Sequence, residues 1–217
     1  MEITTSSESV ILKAVDKIYD AVINGSVPGT DSAAELAESY LAEYKNPLDA
    51  ANALVRWQNA KAAFDGALTG LGGFLTMLAA LPVNVASVLF IQIRMIVAIA
   101  YIGGVRDFKD EKVRTIVKCC LVGESISNIA KNAGIKIVQE GVKGAATKMI
   151  LELPVVHALN RVVGTRIVAT YGPKMSSNFV KGIPLLGALI GAVFDGVSTN
   201  IVGNATIKTF IEEKSEG

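Results

Sequence analysis

The amino-acid sequence predicts an all-α protein, a compact multi-helix bundle with a buried glycine-rich apolar helical hairpin. Apolar residues recur at every third or fourth position over most of the chain, which is the period of an amphipathic helix. No segment sustains the period-two alternation of a half-buried strand. Forty residues from Gly66 to Val105 carry a single charge, Arg94. A run this apolar belongs either inside a bundle or in lipid.

Composition places the chain between soluble and membrane-associated proteins. Its 217 residues are 51% hydrophobic, which is enough for one core without disulfides or metals. Charged residues make up 19%, against roughly 25% in average globular chains. Residues 1–65 hold five Lys/Arg and ten Asp/Glu, whereas the rest holds sixteen and ten. Lys and Arg residues cluster only in pairs. We therefore expect no nucleic-acid partner, because binding nucleic acid would need an extended basic face.

Two features predict a cytoplasmic location. Cys119 and Cys120 are adjacent in a helical pattern, where their side chains diverge by about 100° and cannot easily bridge. Reduced thiols in a cytosol-facing compartment follow from this. The first residues also lack the basic start and apolar core of a signal peptide.

The first 45 residues predict two acidic helices that pack on the core. Thr5-x-x-Glu8 and Ser32-x-x-Glu35 have the spacing of a capping box, in which the two side chains satisfy free backbone N–H groups at a helix start. Residues 46–213 are then expected to form the main helical domain, within one folding unit.

The main domain begins at Asn46-Pro47, because proline is favoured in the first turn of a helix. A second, apolar helix is expected from Pro82 to Gly103-Gly104. The later helices are predicted at about 110–121, 125–148, 154–171 and 184–213. On a helical wheel of the apolar helix, its polar residues Asn84, Ser87 and Arg94 form one narrow stripe, with Gln92 outside it.

The glycine segments are candidate contact surfaces. Gly70, Gly72 and Gly73 follow a helical pattern rather than a strand, and no Gly-Lys-Ser/Thr occurs in the chain, so no phosphate-binding loop is expected. Such glycines instead let backbones approach closely or permit a sharp turn. Gly187-x-x-x-Gly191 offers the same smooth face, which suits membrane dimers and dense soluble bundles equally.

Two charges lie in apolar sequence, Arg94 and Asp195. Burying a charge without a partner is costly, so each needs an opposite charge or contact with water. Three interpretations stay open: an ion pair between the two, separate snorkelling or capping roles, and a function in binding or proton handling.

The patterns of known catalytic sites are absent from the sequence. No Gly-x-Ser-x-Gly and no His-Glu-x-x-His occurs. The single histidine, His157, lies among apolar residues, where a packed or capping role is expected. Asp16 and Asp20 share a helix face and are expected to serve solubility. We therefore predict no catalytic residues, no cofactor and no metal.

Insertion of the apolar helix into a membrane is marginal on energetic grounds. Its strongly apolar residues favour insertion by about 3 to 6 kcal/mol in all, and a central arginine opposes it by about 2.5 to 3.5 kcal/mol. We expect a compact protein whose hairpin is buried internally or enters a bilayer in a second state. Peripheral attachment needs only part of that surface.

Several segments, in order and spacing, resemble the EcsC family. They are Arg56-Trp57-Gln58, residues 69–76, Leu81-Pro82, residues 91–100, residues 183–188, Asp195, residues 201–203 and Phe210. The resemblance covers about residues 45–212. The family often has Pro-Ala-Asp where this chain has Pro82-Val83-Asn84. The resemblance implies an all-α, bacterial-type protein near membranes, named for a gene neighbour of an ABC transporter, and it supplies no catalytic residues.

These observations predict a non-enzymatic, membrane-associating protein, peripheral to or partly inserted in the inner face of the cell membrane. Its partners would be membrane lipid or a membrane protein complex, and its glycine faces are compatible with a homo-oligomer. The residues expected to make these contacts are Gly70, Gly72, Gly73, Phe74, Pro82, Ile91, Arg94, Ile96, Gly187, Gly191 and Asp195. Two alternatives stay open: a soluble adaptor or regulator of a membrane transporter, and a hydrolase with an unrecognised site.

Overall fold

Eight helices make up almost all of the computed structural model, which describes residues 2–27, 29–63, 81–135, 138–139, 149–150, 152–172 and 198–212. They are α1 (Glu2–Ile23), α2 (Ala33–Glu43), α3 (Pro47–Ala63), α4 (Val83–Ile102), α5 (Glu111–Leu121), α6 (Ile126–Asn132), α7 (Leu153–Tyr171) and α8. Helix α8 is described from residue 198, is α-helical to 207 and ends in a π-helical turn, Lys208–Glu212. The two-residue strands β1 (Val138–Gln139) and β2 (Met149–Ile150) pair antiparallel. The predicted all-α class is confirmed.

Helix α4 lies at the centre of the bundle. It contacts α1, α2, α3, α5 and the end of α8, and nearly all of its apolar side chains are buried. Arg94 contacts Asp31 just before α2, and Tyr101, seven residues further along α4, donates a hydrogen bond to Glu38 within α2. Helix α2 therefore runs in the same direction as α4.

Local signals account for the starts of several helices. The Ser32 hydroxyl accepts a hydrogen bond from the Glu35 amide at 3.1 Å, and the Glu35 carboxylate accepts one from the Ser32 amide at 2.8 Å, which confirms the predicted capping box. Asn46 accepts from the Leu48 amide ahead of α3. Helix α1 differs from the prediction because it begins at Glu2, before Thr5.

The amphipathic pattern of α1 correctly identifies its buried side. Its apolar stripe, which includes Ile11, Val15 and Ile18, is buried against the core. Tyr19 is also buried, and its hydroxyl donates to the carbonyl oxygen of Phe108 at 2.7 Å. The aromatic side chain thus ties α1 to the connection between α4 and α5.

The helix predicted over residues 125–148 is wrong beyond Asn132. Gly134 follows with a φ of +67°, a left-handed conformation that glycine adopts without strain and that commonly ends a helix. Val138 then pairs with Ile150 in the short antiparallel ladder. The β-branched residues after Gly134 favour this extended conformation over helix.

Two glycines allow α8 to approach its neighbours closely. A Cβ atom on Gly103 would lie 2.5 Å from the carbonyl oxygen of Phe210, and one on Gly203 would lie 2.6 Å from the Val55 side chain. These contacts bring α8 against α4 and α3. The predicted glycine contacts at Gly70, Gly72, Gly73, Gly187 and Gly191 lie outside the described residues, as do Phe74 and Asp195.

Replacing Gly103 by alanine should destabilise the bundle. The new methyl group would meet backbone that cannot rotate away, and overpacking of this kind costs about 1 to 3 kcal/mol. Gly164→Ala is the matched control, because its Cβ would meet Leu12 at an ordinary 3.7 Å. Alanine within a helix gains about 0.5 to 1 kcal/mol over glycine. Urea unfolding followed by circular dichroism measures both, and equal effects would contradict this close approach.

Candidate functional site

The structure describes four of the predicted contact residues, which lie on α4 or just before it: Pro82, Ile91, Arg94 and Ile96. Pro82 forms the N-cap of α4 with ψ at 139° and makes no side-chain capping bond. Ile91 is 8% exposed and Ile96 is fully buried. Neither isoleucine can touch lipid while the bundle has this conformation.

Arg94 lies at a cleft between α4 and the connection from α1 to α2. Its guanidinium is 3.7 Å from the carboxylate of Asp31, and their side chains are 12% and 77% exposed. The cleft is lined by the last turn of α1, the connection that follows it and the start of α2, and by Phe90 and Arg94 of α4. Burial lowers the pKa of Arg94, and the charges of Asp31 and Glu35 oppose that shift.

This contact bears on the predicted pair between Arg94 and Asp195. Asp195 lies outside the described residues, so that pair stays a prediction, whereas Asp31 supplies an acidic partner that the sequence patterns did not suggest. The Nε atom of Arg94 is buried and has no hydrogen-bond partner among the described residues. Its exposed partner and its unpaired nitrogen make Arg94 a weakly bonded charge at the rim of the core.

A buried polar network on α4 was missed at the sequence level. Gln92 is fully buried. Its amide oxygen accepts from the Tyr171 hydroxyl at 2.5 Å, and its amide nitrogen donates to Ser198 at 2.8 Å and Thr199 at 3.2 Å. The hydroxyl oxygen of Tyr171 also lies 3.5 Å from the carbonyl oxygen of Leu121. These bonds join α4 to α7, α8 and the end of α5, so they set the register of the core.

A cluster of charges joins α1 to α5. Asp16 lies 2.8 Å from Lys118 and 3.4 Å from Arg114, and Asp20 also pairs with Arg114. The guanidinium of Arg114 stands 4.5 Å from the ring centre of Tyr19. Asp16 and Asp20, which the sequence predicts to serve solubility, thus have a further role, because both carboxylates bridge two helices.

The described side chains offer little for catalysis. Cys119 and Cys120 are free and buried, and burial raises the pKa of the Cys119 thiol, which keeps it in the unreactive protonated form. His157 is exposed on α7 rather than packed. Within the described ranges, no group of three His, Cys, Asp or Glu residues could hold a metal ion.

Comparison with known protein families shows a similarity that covers nearly the whole chain. The model of the EcsC protein family matches residues 3–211 of the 217-residue chain. No curated protein matches the chain, and no solved structure does. The match includes every helix described here apart from the ends of α1 and α8.

Removing the Tyr171 hydroxyl should destabilise the protein through the Gln92 network. Tyr171→Phe deprives a buried amide oxygen of its donor, which costs about 1 to 3 kcal/mol. In a double-mutant cycle, Gln92→Met and Tyr171→Phe should couple by at least about 0.5 kcal/mol. The hydroxyl of Tyr44 donates no bond among the described residues, so Tyr44→Phe is the control. Additive effects would mean that the network does not act as one unit.

Arg94→Met should change stability by no more than about 1 kcal/mol, because pairs with exposed partners contribute about 0 to 1 kcal/mol and methionine keeps the apolar stem. Arg94→Ala should cost about 2 kcal/mol or more by leaving a cavity. Guanidinium unfolding measures both variants. A loss above about 3 kcal/mol for Arg94→Met would reveal a stranded buried carboxylate, which is the result expected of a pair with Asp195.

Proposed function

We propose that this chain, which belongs to the EcsC protein family, is a non-enzymatic helical protein that associates with a membrane. In this proposal it engages lipid or a membrane complex through apolar residues in segments 70–102 and 183–202. It attaches peripherally to the inner face of the cell membrane while the bundle stays closed. The observation that supports this form is the burial of α4 together with the exposure of apolar side chains around it.

Helix α4 is long and apolar enough to span a bilayer. Its segment Val85–Ile102 has a mean hydropathy of 2.2, yet 89% of that segment is buried inside the bundle. The core of a helical protein has the same composition, so hydropathy alone is weak support for a membrane role. Insertion would also remove Gln92 from its three partners and place Arg94 in hydrocarbon, where a charge at the centre costs about 2.5 to 3.5 kcal/mol. Both costs favour attachment of the closed bundle over insertion of α4.

Exposed apolar side chains supply the contact in this proposal. Val83 is 64% exposed at the start of α4, and Ile201 is 50% exposed on α8, so each belongs to one of the two segments. Trp57, the single tryptophan, is 60% exposed on α3. Tryptophan is favoured at the interface between lipid and water, where its ring can be half-buried.

Vesicle flotation tests the proposal. The purified protein should be soluble without detergent, should float with lipid vesicles, and should show a blue shift of Trp57 fluorescence on binding. Val83→Asp combined with Ile201→Gln should lower the bound fraction by about tenfold, since one apolar contact is lost from each segment. The aspartate lies in the first turn of α4, where a negative charge is favourable for the helix.

Leu153→Gln is the matched control, because Leu153 is 60% exposed at the start of α7, outside both segments. A soluble protein that ignores vesicles of every charge would favour the adaptor instead. Extraction only by detergent would contradict peripheral attachment. Turnover of an ester, peptide or phosphate substrate by the same preparation would contradict the non-enzymatic part of the proposal.

A further inference from the structure

The ion pairs between the N-terminal helices and the rest of the bundle all have the same polarity in the described part of the chain. The acid comes from α1 or from the connection to α2, and the base comes from α4 or α5. The pairs are Asp31 with Arg94, Asp16 with Arg114 and Lys118, and Asp20 with Arg114. This polarity matches the sequence, in which residues 1–65 are acidic and the remainder is basic.

In the pairs between α1 and α5, the acidic side chains are more exposed than the basic ones. The side chains of Arg114 and Lys118 are 25% and 18% exposed, whereas those of Asp16 and Asp20 are 41% and 51% exposed. The carboxylates are therefore the more exposed members of these pairs. Two cations that would otherwise form a basic face on α5 are covered by two anions from α1.

We infer that α1 is an acidic cover over a basic face of α5, and that the surface of an anionic bilayer competes with Asp16 and Asp20 for Arg114 and Lys118. The inference rests on the proposed function and adds to it the charge of the lipid and the means of its regulation. Lipid phosphates and carboxylates carry the same charge and acceptor oxygens as the aspartates, so the complementarity already seen in the ion pairs supplies the chemistry of binding.

Competition of this kind needs only side-chain motion. Lysine and arginine have long flexible stems that can carry their charges outwards to a headgroup while the stems stay packed. The half-exposed carboxylates of Asp16 and Asp20 can turn into water. The buried stripe of α1 keeps the helix in place, so the cover can yield without unfolding.

Charge variants test the inference in the full chain. Asp16→Asn with Asp20→Asn removes the cover and should strengthen binding to vesicles containing phosphatidylserine by about fivefold or more, since each base near an anionic surface adds about that factor. Binding to pure phosphatidylcholine vesicles should not change. Arg114→Gln with Lys118→Gln should weaken binding to the anionic vesicles below that of the wild type.

Asp49→Asn with Glu152→Gln is the matched control for net charge. Both residues are exposed, and neither pairs with a base among the described residues. If this control binds phosphatidylserine vesicles as strongly as the Asp16 and Asp20 double variant, net charge alone explains the gain in binding. That result would contradict the inference that α1 covers a basic face. If the Asp16 and Asp20 double variant does not fold, two other proteins decide the question: the single variant Asp20→Asn, which should bind anionic vesicles more strongly than the wild type, and the Arg114 and Lys118 double variant, which should bind them more weakly.

The outcomes separate this inference from the proposed function. If the wild type and every variant bind both vesicle types equally, membrane association stands and the cover is wrong. If no form of the protein binds vesicles of either composition, membrane association fails, and the lipid partner inferred here fails with it.

Discussion

The burial of α4 is the constraint on which the rest of the structure depends. A helix of twenty residues with a single charge has too little polar surface to leave a face in water, and each large apolar side chain removed from water contributes about 1.5 to 3 kcal/mol. Helices α1, α2, α3, α5 and α8 all contact α4 and enclose it. Glycines at the end of α4 and on α8 let α8 approach α4 and α3 closely.

The two polar side chains in the middle of α4 divide the bundle into two unequal sides. Gln92 is bonded on one side to α7 and α8 by contacts that are all buried or partly buried. Arg94 faces the other side, towards an exposed carboxylate of the connection between α1 and α2. Buried networks that are fully satisfied hold a unique register, whereas exposed ion pairs contribute little. The pair of Arg94 with Asp31 is therefore the polar contact of α4 that can be lost at low cost.

Local signals in the sequence predicted the helices well, and long-range partners could not be read from it. Ser32 and Glu35, Pro82 and Gly103 mark helix ends because the responsible interactions lie within a few residues. The apolar pattern predicts a helix that continues past Gly134, but the left-handed backbone of this glycine follows the end of the helix at Asn132. The bond from Tyr171 to Gln92 spans 79 positions. Periodicity shows which face of a helix is apolar, but it does not show which helices meet there.

The same limit explains why hydropathy misleads about the environment of α4. A core helix surrounded by protein and a helix surrounded by lipid both exclude water, so both select the same residues. What differs is the treatment of the few polar groups. In lipid the amide of Gln92 would lack three hydrogen bonds that the bundle supplies, and the charge of Arg94 would lack the water that reaches the rim of the cleft. Helix α4 is thus too apolar for water, whereas its two central polar side chains oppose its insertion into a bilayer, and the closed bundle satisfies both requirements.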